Sequence, residues 1–252
     1  APDAIDFAPT IHPGEVTAEG MLDHVREQMD IWAVPLGRFG YTCSAVVGPD
    51  KTVVYVGADH SYTDGVSCLL SFWELSAFYE AARAGTEPDL PAVGSYPDYC
   101  VEERERADAF DVESKGVQDW LYFLLRGGGE LPRFPVELGM TKGVKVPLVP
   151  VYQELIPADL DDAYAATVKD LGGTYAAGLY AACAMAAHEQ AAATSYRCLN
   201  PVHSRWSPEW ALAMGWFINL VPLHVDIEPD DTFASLVQRT RQEFSDTKEA
   251  GD

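Results

Sequence analysis

Apolar positions along the chain switch between two periods, and the switches mark its elements. Over 16–28, Met21, Leu22 and Val25 share one face and Thr17 stands where a helix needs a cap, so the spacing predicts a first helix. The runs 39–47 and 52–57 are strand-like, and Gly48-Pro49-Asp50-Lys51 between them predicts a hairpin. The second strand leads into Asp59-His60-Ser61-Tyr62-Thr63-Asp64-Gly65. A long helix over 66–83 then carries Leu69, Leu70, Phe72, Trp73, Leu75, Phe78 and Tyr79, and stops at Ala84-Gly85. A charged helix is expected over 96–109. Another is centred on 117–126 and broken by Gly127-Gly128-Gly129. The stretch 131–150, rich in Pro, Gly and Val, reads as extended chain crossing from a first lobe to a second.

The alternation then repeats. A strand is expected over 151–156, a helix with an acidic start over 158–170, and a buried alanine-rich helix over 174–190. Strands at 196–202 and 220–227 flank a short helix at 208–214, and an amphipathic helix closes the chain over 232–248. Strands alternating with helices place the fold in the α/β (α+β) class, with mixed β-sheets flanked by helices. The expected boundary divides the chain into 1–146 and 147–252.

Composition narrows the function. Acidic residues number 39 against 17 Lys and Arg, a formal net charge of −22. A field of that sign repels phosphate backbones, so nucleic acid is excluded as a partner, and anionic lipid surfaces exert no general attraction. Cys43, Cys68, Cys100, Cys183 and Cys198 form no Cys-x-x-Cys pair and have no His at ligand spacing, so no metal site is expected. They read as buried free thiols of a reducing, cytoplasmic protein. No apolar run is long enough to span a bilayer, and none reads as a signal peptide.

The candidate chemistry sits at His60. Acyl transfer to a hydroxyl or amine needs a group that takes the acceptor's proton as the new bond forms, and imidazole titrates in the working range. Asp64, four residues on at a strand-to-helix turn, can fix the loop, for instance by pairing with an arginine. Gly65 tolerates backbone angles that other residues resist. A lone His-x-x-x-Asp-Gly also arises by chance, and a histidine at a strand end is more often structural. Other candidates have bland readings. Tyr96, Asp98, Tyr99, Trp206, Trp210 and Trp216 read as packing residues, His188 as a satisfied core residue, and His224 as a strand residue facing solvent. Ser61 and Ser67 lack the context of a nucleophile elbow.

Two further segments change the weight. Tyr96-Pro97-Asp98-Tyr99 and Gly215-Trp216-Phe217-Ile218-Asn219 follow His60-Ser61-Tyr62-Thr63-Asp64-Gly65 in order. The triple resembles the third, fourth and fifth core motifs of condensation domains: His-His-x-x-x-Asp-Gly, Tyr-x-Asp-Phe/Tyr and Gly-x-Phe-x-Asn. The chain is thus similar to the superfamily of nonribosomal peptide synthetase condensation domains, chloramphenicol acetyltransferase and polyketide-associated acyltransferases. The resemblance implies a two-lobed chloramphenicol acetyltransferase-like fold with an active-site tunnel. It also implies a partial domain, starting after the family's second motif and stopping before its sixth.

Carried over residue by residue, the resemblance makes His60 the catalytic base, Asp64 the structural aspartate and Gly65 the glycine beside the site. Asn219 takes the place of the downstream asparagine, and Arg205 that of a recurrent arginine. Asp59 stands where the family has its first histidine. That replacement tilts the reading toward polyketide-associated acyltransferases, which make lipid esters. The implied reaction moves an acyl group from coenzyme A or a carrier protein's phosphopantetheine arm to an acceptor hydroxyl, with no tightly bound cofactor. An acyl or peptidyl carrier protein is a further partner, for which Arg104, Arg106, Arg126, Arg133, Lys142 and Lys145 are candidate docking residues. Alternatives are amide formation in a nonribosomal peptide synthetase and a noncatalytic condensation-like interaction domain.

Overall fold

The computed structural model describes residues 14, 17–36, 40–141, 143–146 and 151–247. Helix α1 (Ala18–Trp32) starts where Thr17 accepts the Gly20 N–H on its hydroxyl, the expected cap. Strands β1 (Tyr41–Val47) and β2 (Thr52–Ala58) pair antiparallel across the expected turn, Tyr41 opposite Ala58 and Val47 opposite Thr52. Helix α2 (Gly65–Ala84) ends on Gly85, whose φ of 69° is the left-handed cap that glycine adopts without strain. Then come α3 (Tyr96–Asp108), α4 (Lys115–Arg126), α5 (Ala158–Asp170) and α6 (Tyr175–Ala191). Strand β3 (Ser195–His203), a single 3₁₀ turn (Pro208–Trp210), β4 (Ile218–Asp226) and α7 (Phe233–Asp246) complete the order.

Both ladders among the described residues are antiparallel pairs, β1–β2 and β3–β4, the latter placing Ser195 opposite Asp226 and Val202 opposite Asn219. The expected strand over 151–156 is absent. Val151, Tyr152 and Leu155 are 82%, 94% and 83% exposed there, and a strand has no stability without a partner to complete its hydrogen bonds. The cysteines also differ from expectation: Cys43, Cys68, Cys100 and Cys183 are exposed and Cys198 is half-buried.

The chain forms two compact units. One is Ala1–Tyr96 with Ser207–Phe217; the other is Pro97–Trp206 with Ile218–Asp252. These limits differ from the division at 146/147. Residues 207–217 bond back to the neighbourhoods of Asp64 and Gly94, whereas α4 is tied to β4 by an Arg126–Asp226 ion pair.

The second unit holds the larger core. Val168 of α5, Ala181 and Ala184 of α6, Leu223 and Val225 of β4, and Leu236 and Val237 of α7 are all buried together. The alanine run of α6 lets its neighbours approach closely, which explains why that helix is small-residue-rich on its inner side. His224 is buried here, not solvent-facing as the strand pattern suggested. Its Nε2–H donates to the Asp226 carboxylate at 3.2 Å, and its Nδ1 is buried without a partner. Burial, and then the Arg126 guanidinium, hold His224 below the ordinary imidazole value.

In the first unit α1 lies on the hairpin, with the Tyr55 hydroxyl donating to the Met21 sulfur at 2.7 Å. Helix α2 is apolar around its whole circumference, the pattern of a helix inside a core. Yet Leu69, Phe72 and Tyr79 are 70%, 67% and 61% exposed.

Candidate active site

The site is built on the turn that carries the chain from β2 into α2. The Asp59 N–H donates to the Gly40 carbonyl at 2.8 Å, and the Tyr62 N–H to the Asp59 carbonyl at 3.0 Å, so the turn is closed at its base. The Asp59 carboxylate accepts the Ser61 N–H at 2.9 Å and the Ser61 hydroxyl. Those bonds, the hydroxyl first, hold its carboxyl below the usual range, with a smaller contribution from the charge of His60. Where the family motif has a histidine, this chain therefore has an ionised group that braces the turn.

His60 stands at the exposed crest of this turn. Its Nδ1 lies 2.6 Å from the Thr63 carbonyl oxygen. A carbonyl oxygen only accepts, so the proton of the neutral ring is on Nδ1 and the lone pair is on Nε2. The Thr63 hydroxyl donates back to the Asp59 carbonyl at 3.4 Å. The Trp216 indole packs against the imidazole, ring centroids 5.1 Å apart and planes inclined at 62°.

Asp64 explains how segments distant in sequence meet. It is fully buried, and as N-cap of α2 it accepts the Ser67 N–H at 2.7 Å on one carboxylate oxygen. The other oxygen accepts the Phe217 N–H at 3.1 Å. Its own N–H donates to the Gly215 carbonyl at 3.1 Å. The Ser67 hydroxyl, also buried, donates to the Gly215 carbonyl and accepts the Gly215 N–H, both at 3.0 Å. A Cβ at Gly215 would lie 2.3 Å from the Tyr96 ring, so any side chain there forces the ring or the backbone to shift. The Tyr96 hydroxyl donates to the Trp216 carbonyl at 3.1 Å, and its ring packs on the buried Phe217 at 5.1 Å.

The first unit thus brings together His60, Asp59, Asp64, Tyr96 and the 215–217 segment. Gly65 begins α2 with ordinary backbone angles, so its conformational freedom is not used. A Cβ there would meet nothing within 4 Å. Asn219 and Arg205 are half-buried and belong to the second unit, Asn219 on β4 and Arg205 just after β3. Tyr99 is buried in the second unit, bonded to Ser204 and Glu103, in keeping with a packing role. Among the basic candidates, Arg106 lies over the Trp206 ring, Arg126 pairs with Asp226, and Arg133 pairs with Glu130. Lys142 lies outside the described residues. Sequence reasoning missed the parts played by Ser67 and Trp216. The buried face of α2 gave a sign of the first, since a serine three residues after an N-cap aspartate sits on the turn's inner side.

Comparisons with known proteins bear on the family and the fold. A condensation-domain family model matches residues 18–252. Acyltransferase PapA3 of Mycobacterium tuberculosis is 29% identical over 228 residues, 90% of this chain and 47% of that protein. The 2'-acyl-2-O-sulfo-trehalose (hydroxy)phthioceranyltransferase PapA1 of Mycobacterium bovis is 28% identical over 227 residues, 90% of this chain and 43% of that protein. The solved structure of PapA2 acyl transferase superposes with a TM-score of 0.80 at 23% identity, covering 93% of this chain and 50% of that one. The first condensation domain of the CDA synthetase superposes at 0.71 and 23%, covering 92% and 51%. The chain spans about half the length of the curated relatives it matches. With the family model matched over nearly its full length and the fold shared with those structures, this chain belongs to the condensation-domain family.

Proposed function

We propose that the protein containing this chain is an acyltransferase that moves an acyl group from a thioester to an acceptor hydroxyl, with His60 as general base. The observation that carries the reading is the bond from His60 Nδ1–H to the Thr63 carbonyl at 2.6 Å, which leaves Nε2 as the basic nitrogen on an exposed turn. As the acceptor oxygen attacks the thioester carbonyl, Nε2 takes the hydroxyl proton. The tetrahedral intermediate then expels the thiolate, which recovers that proton from the imidazolium. Backbone N–H groups at the start of α2, around Gly65, are the candidate donors to the developing oxyanion. Asp64 keeps the turn in shape. Asn219 and Arg205 are assigned supporting roles from their motif positions alone.

The donor is acyl-coenzyme A or an acyl chain on a carrier protein's phosphopantetheine arm, and the proposed setting is the cytoplasm. No helix among the described residues is long and apolar enough to cross a membrane. The ester product is favoured because the matched relatives PapA3 and PapA1 are named an acyltransferase and a phthioceranyltransferase. Amide formation is the second reading, favoured by the match to a linear gramicidin synthase chain of Brevibacillus parabrevis at 26% identity. The 1–146 and 147–252 division is read as parts of two lobes of one larger domain. The all-round apolar surface of α2 is consistent with a helix that further polypeptide covers.

The test is a thioester-dependent acylation assay on the full-length protein. The His60→Ala variant should lose about 10²–10⁴-fold in kcat, the usual worth of a positioned base. Equal turnover in wild type and variant would assign His60 a noncatalytic role. A product formed only with amine acceptors would move the reading to amide synthesis.

A further inference from the structure

Trp216 occupies an unusual position for a tryptophan. Its neighbours are core: Gly215 and Phe217 are buried, and Phe217 packs on Tyr96. The peptide groups around it are fixed by Asp64, Ser67 and Tyr96. Trp216 itself remains 38% exposed, and its indole lies against His60 with centroids 5.1 Å apart. A tryptophan placed for stability buries its ring. Here the peptide groups on either side are held by hydrogen bonds, and the indole lies beside the imidazole.

We propose that Trp216 is a positioning residue for His60, its indole π-system orienting the ring and stabilising the imidazolium that forms when the acceptor's proton is taken. The proposal rests on His60 being the base. A cation held over the face of an aromatic ring, within about 6 Å of its centroid, is attracted to it, most strongly when the ring is indole, and the imidazole and indole here meet in an edge-to-face arrangement. The neutral imidazole gains far less from the same quadrupole, so the contact strengthens as charge develops, which is the condition for a contribution to rate.

Among the described residues, the groups around His60 stand on its own turn and on the Tyr96 and 215–217 segments. On its own turn stand Asp59, already ionised through its Ser61 bonds, and the buried carboxylate of Asp64, which faces the Ser67 and Phe217 N–H groups. Tyr62 lies on the same turn, and Tyr96 directs its hydroxyl at the Trp216 carbonyl. The 215–217 segment brings no titratable side chain. Asp59 supplies a constant field through the imidazole range, so Trp216 can be varied against a fixed background.

The experiment follows the His60 ring by NMR across pH in the full-length protein, using the resonance that disappears in His60→Ala. Replacing Trp216 by Leu should move the ring's titration midpoint down by about half a pH unit, and Trp216→Phe should move it less. Should Trp216→Leu fail to fold, biosynthetic mono-, di- and trifluorotryptophan keeps the indole's shape while draining its π-face, and the midpoint should fall stepwise with each fluorine. Identical midpoints across either series overturn the proposal. In the full-length enzyme the same series should lower kcat about two- to fivefold with KM unchanged. If His60→Ala keeps full activity while the midpoint still moves, the catalytic reading of His60 is wrong but the Trp216 contact stands. If His60→Ala abolishes turnover and the midpoint is flat, only the Trp216 proposal fails.

Discussion

Replacing Asp64 by Ala should destabilise the first unit by about 1.5–5 kcal/mol, and the sum can be taken apart. The carboxylate is fully buried, so solvent does not screen its bonds. One oxygen caps α2 through Ser67 N–H at 2.7 Å, worth about 0.5–2 kcal/mol. The other satisfies the N–H of Phe217, itself fully buried, and stranding that donor costs about 1–3 kcal/mol more. Asp64→Ser retains a capping oxygen within reach of Ser67 N–H but is too short to reach Phe217 as well, so it should recover about 1 kcal/mol of the loss. Asp64→Asn keeps the cap and turns an NH₂ toward the Phe217 N–H, two donors facing each other. It should fall between Ser and Ala. The assay is urea unfolding with native-state hydrogen exchange of the α2 amides, which reports the first unit separately from the second. An Asp64→Ala variant within about 0.5 kcal/mol of wild type would refute the clamp, a margin typical of neutral surface changes.

Gly215→Ala should cost about 1–3 kcal/mol, because its Cβ would lie 2.3 Å from the Tyr96 ring. Pairing it with Tyr96→Leu should recover part of that cost in a double-mutant cycle of unfolding midpoints, and strict additivity would show that the ring is not the obstacle. For His224, the folded state holds the imidazole below its ordinary value of 6.5. Its contribution to stability is therefore present above that pH and is lost as pH falls through the folded value. Unfolding free energy measured from neutral pH downward should decline more steeply in wild type than in His224→Gln, which keeps a donor toward Asp226 and cannot titrate. Parallel curves would mean that the buried Nδ1 is not a barrier to protonation.

Helices were the legible part of this fold because their signals are local. Thr17 caps α1 as the sequence indicated, Thr174 and Thr232, read as the first residues of their helices, turn out to be their caps, and Gly85 and Gly127 end α2 and α4 where expected. The hairpin was legible for the same reason, its turn residues standing between two alternating runs. The strand expected at 151–156 failed because β-propensity describes a surface to be packed, and no ladder among the described residues receives that run. His224 was misread because β4 is buried along Val221–Val225 without alternation. A two-period reading assigns every second residue to solvent, and a strand with helices α4 and α7 against it has no solvent side.

The candidate site was legible as a list of residues and not as a mechanism of assembly. The motif spacing pointed to His60 and Asp64, and it marked 215–219 as a partner segment. It did not disclose that the partner is recognised through its backbone. Asp64 and Ser67 bind the N–H and C=O groups of Gly215 and the N–H of Phe217, and backbone groups are the same whatever the side chain. Only three features of 215–217 are therefore fixed by this contact: no Cβ at Gly215, a buried ring at Phe217, and freedom at position 216. That freedom is what makes the middle residue informative. The clamp binds the main chain on either side of residue 216, and in this chain that residue carries an indole set against the imidazole. The aspartate that holds the turn and the tryptophan that packs on His60 are thus parts of one construction, in which Asp64 and Ser67 bind the main chain on either side of residue 216 and the indole lies against the imidazole.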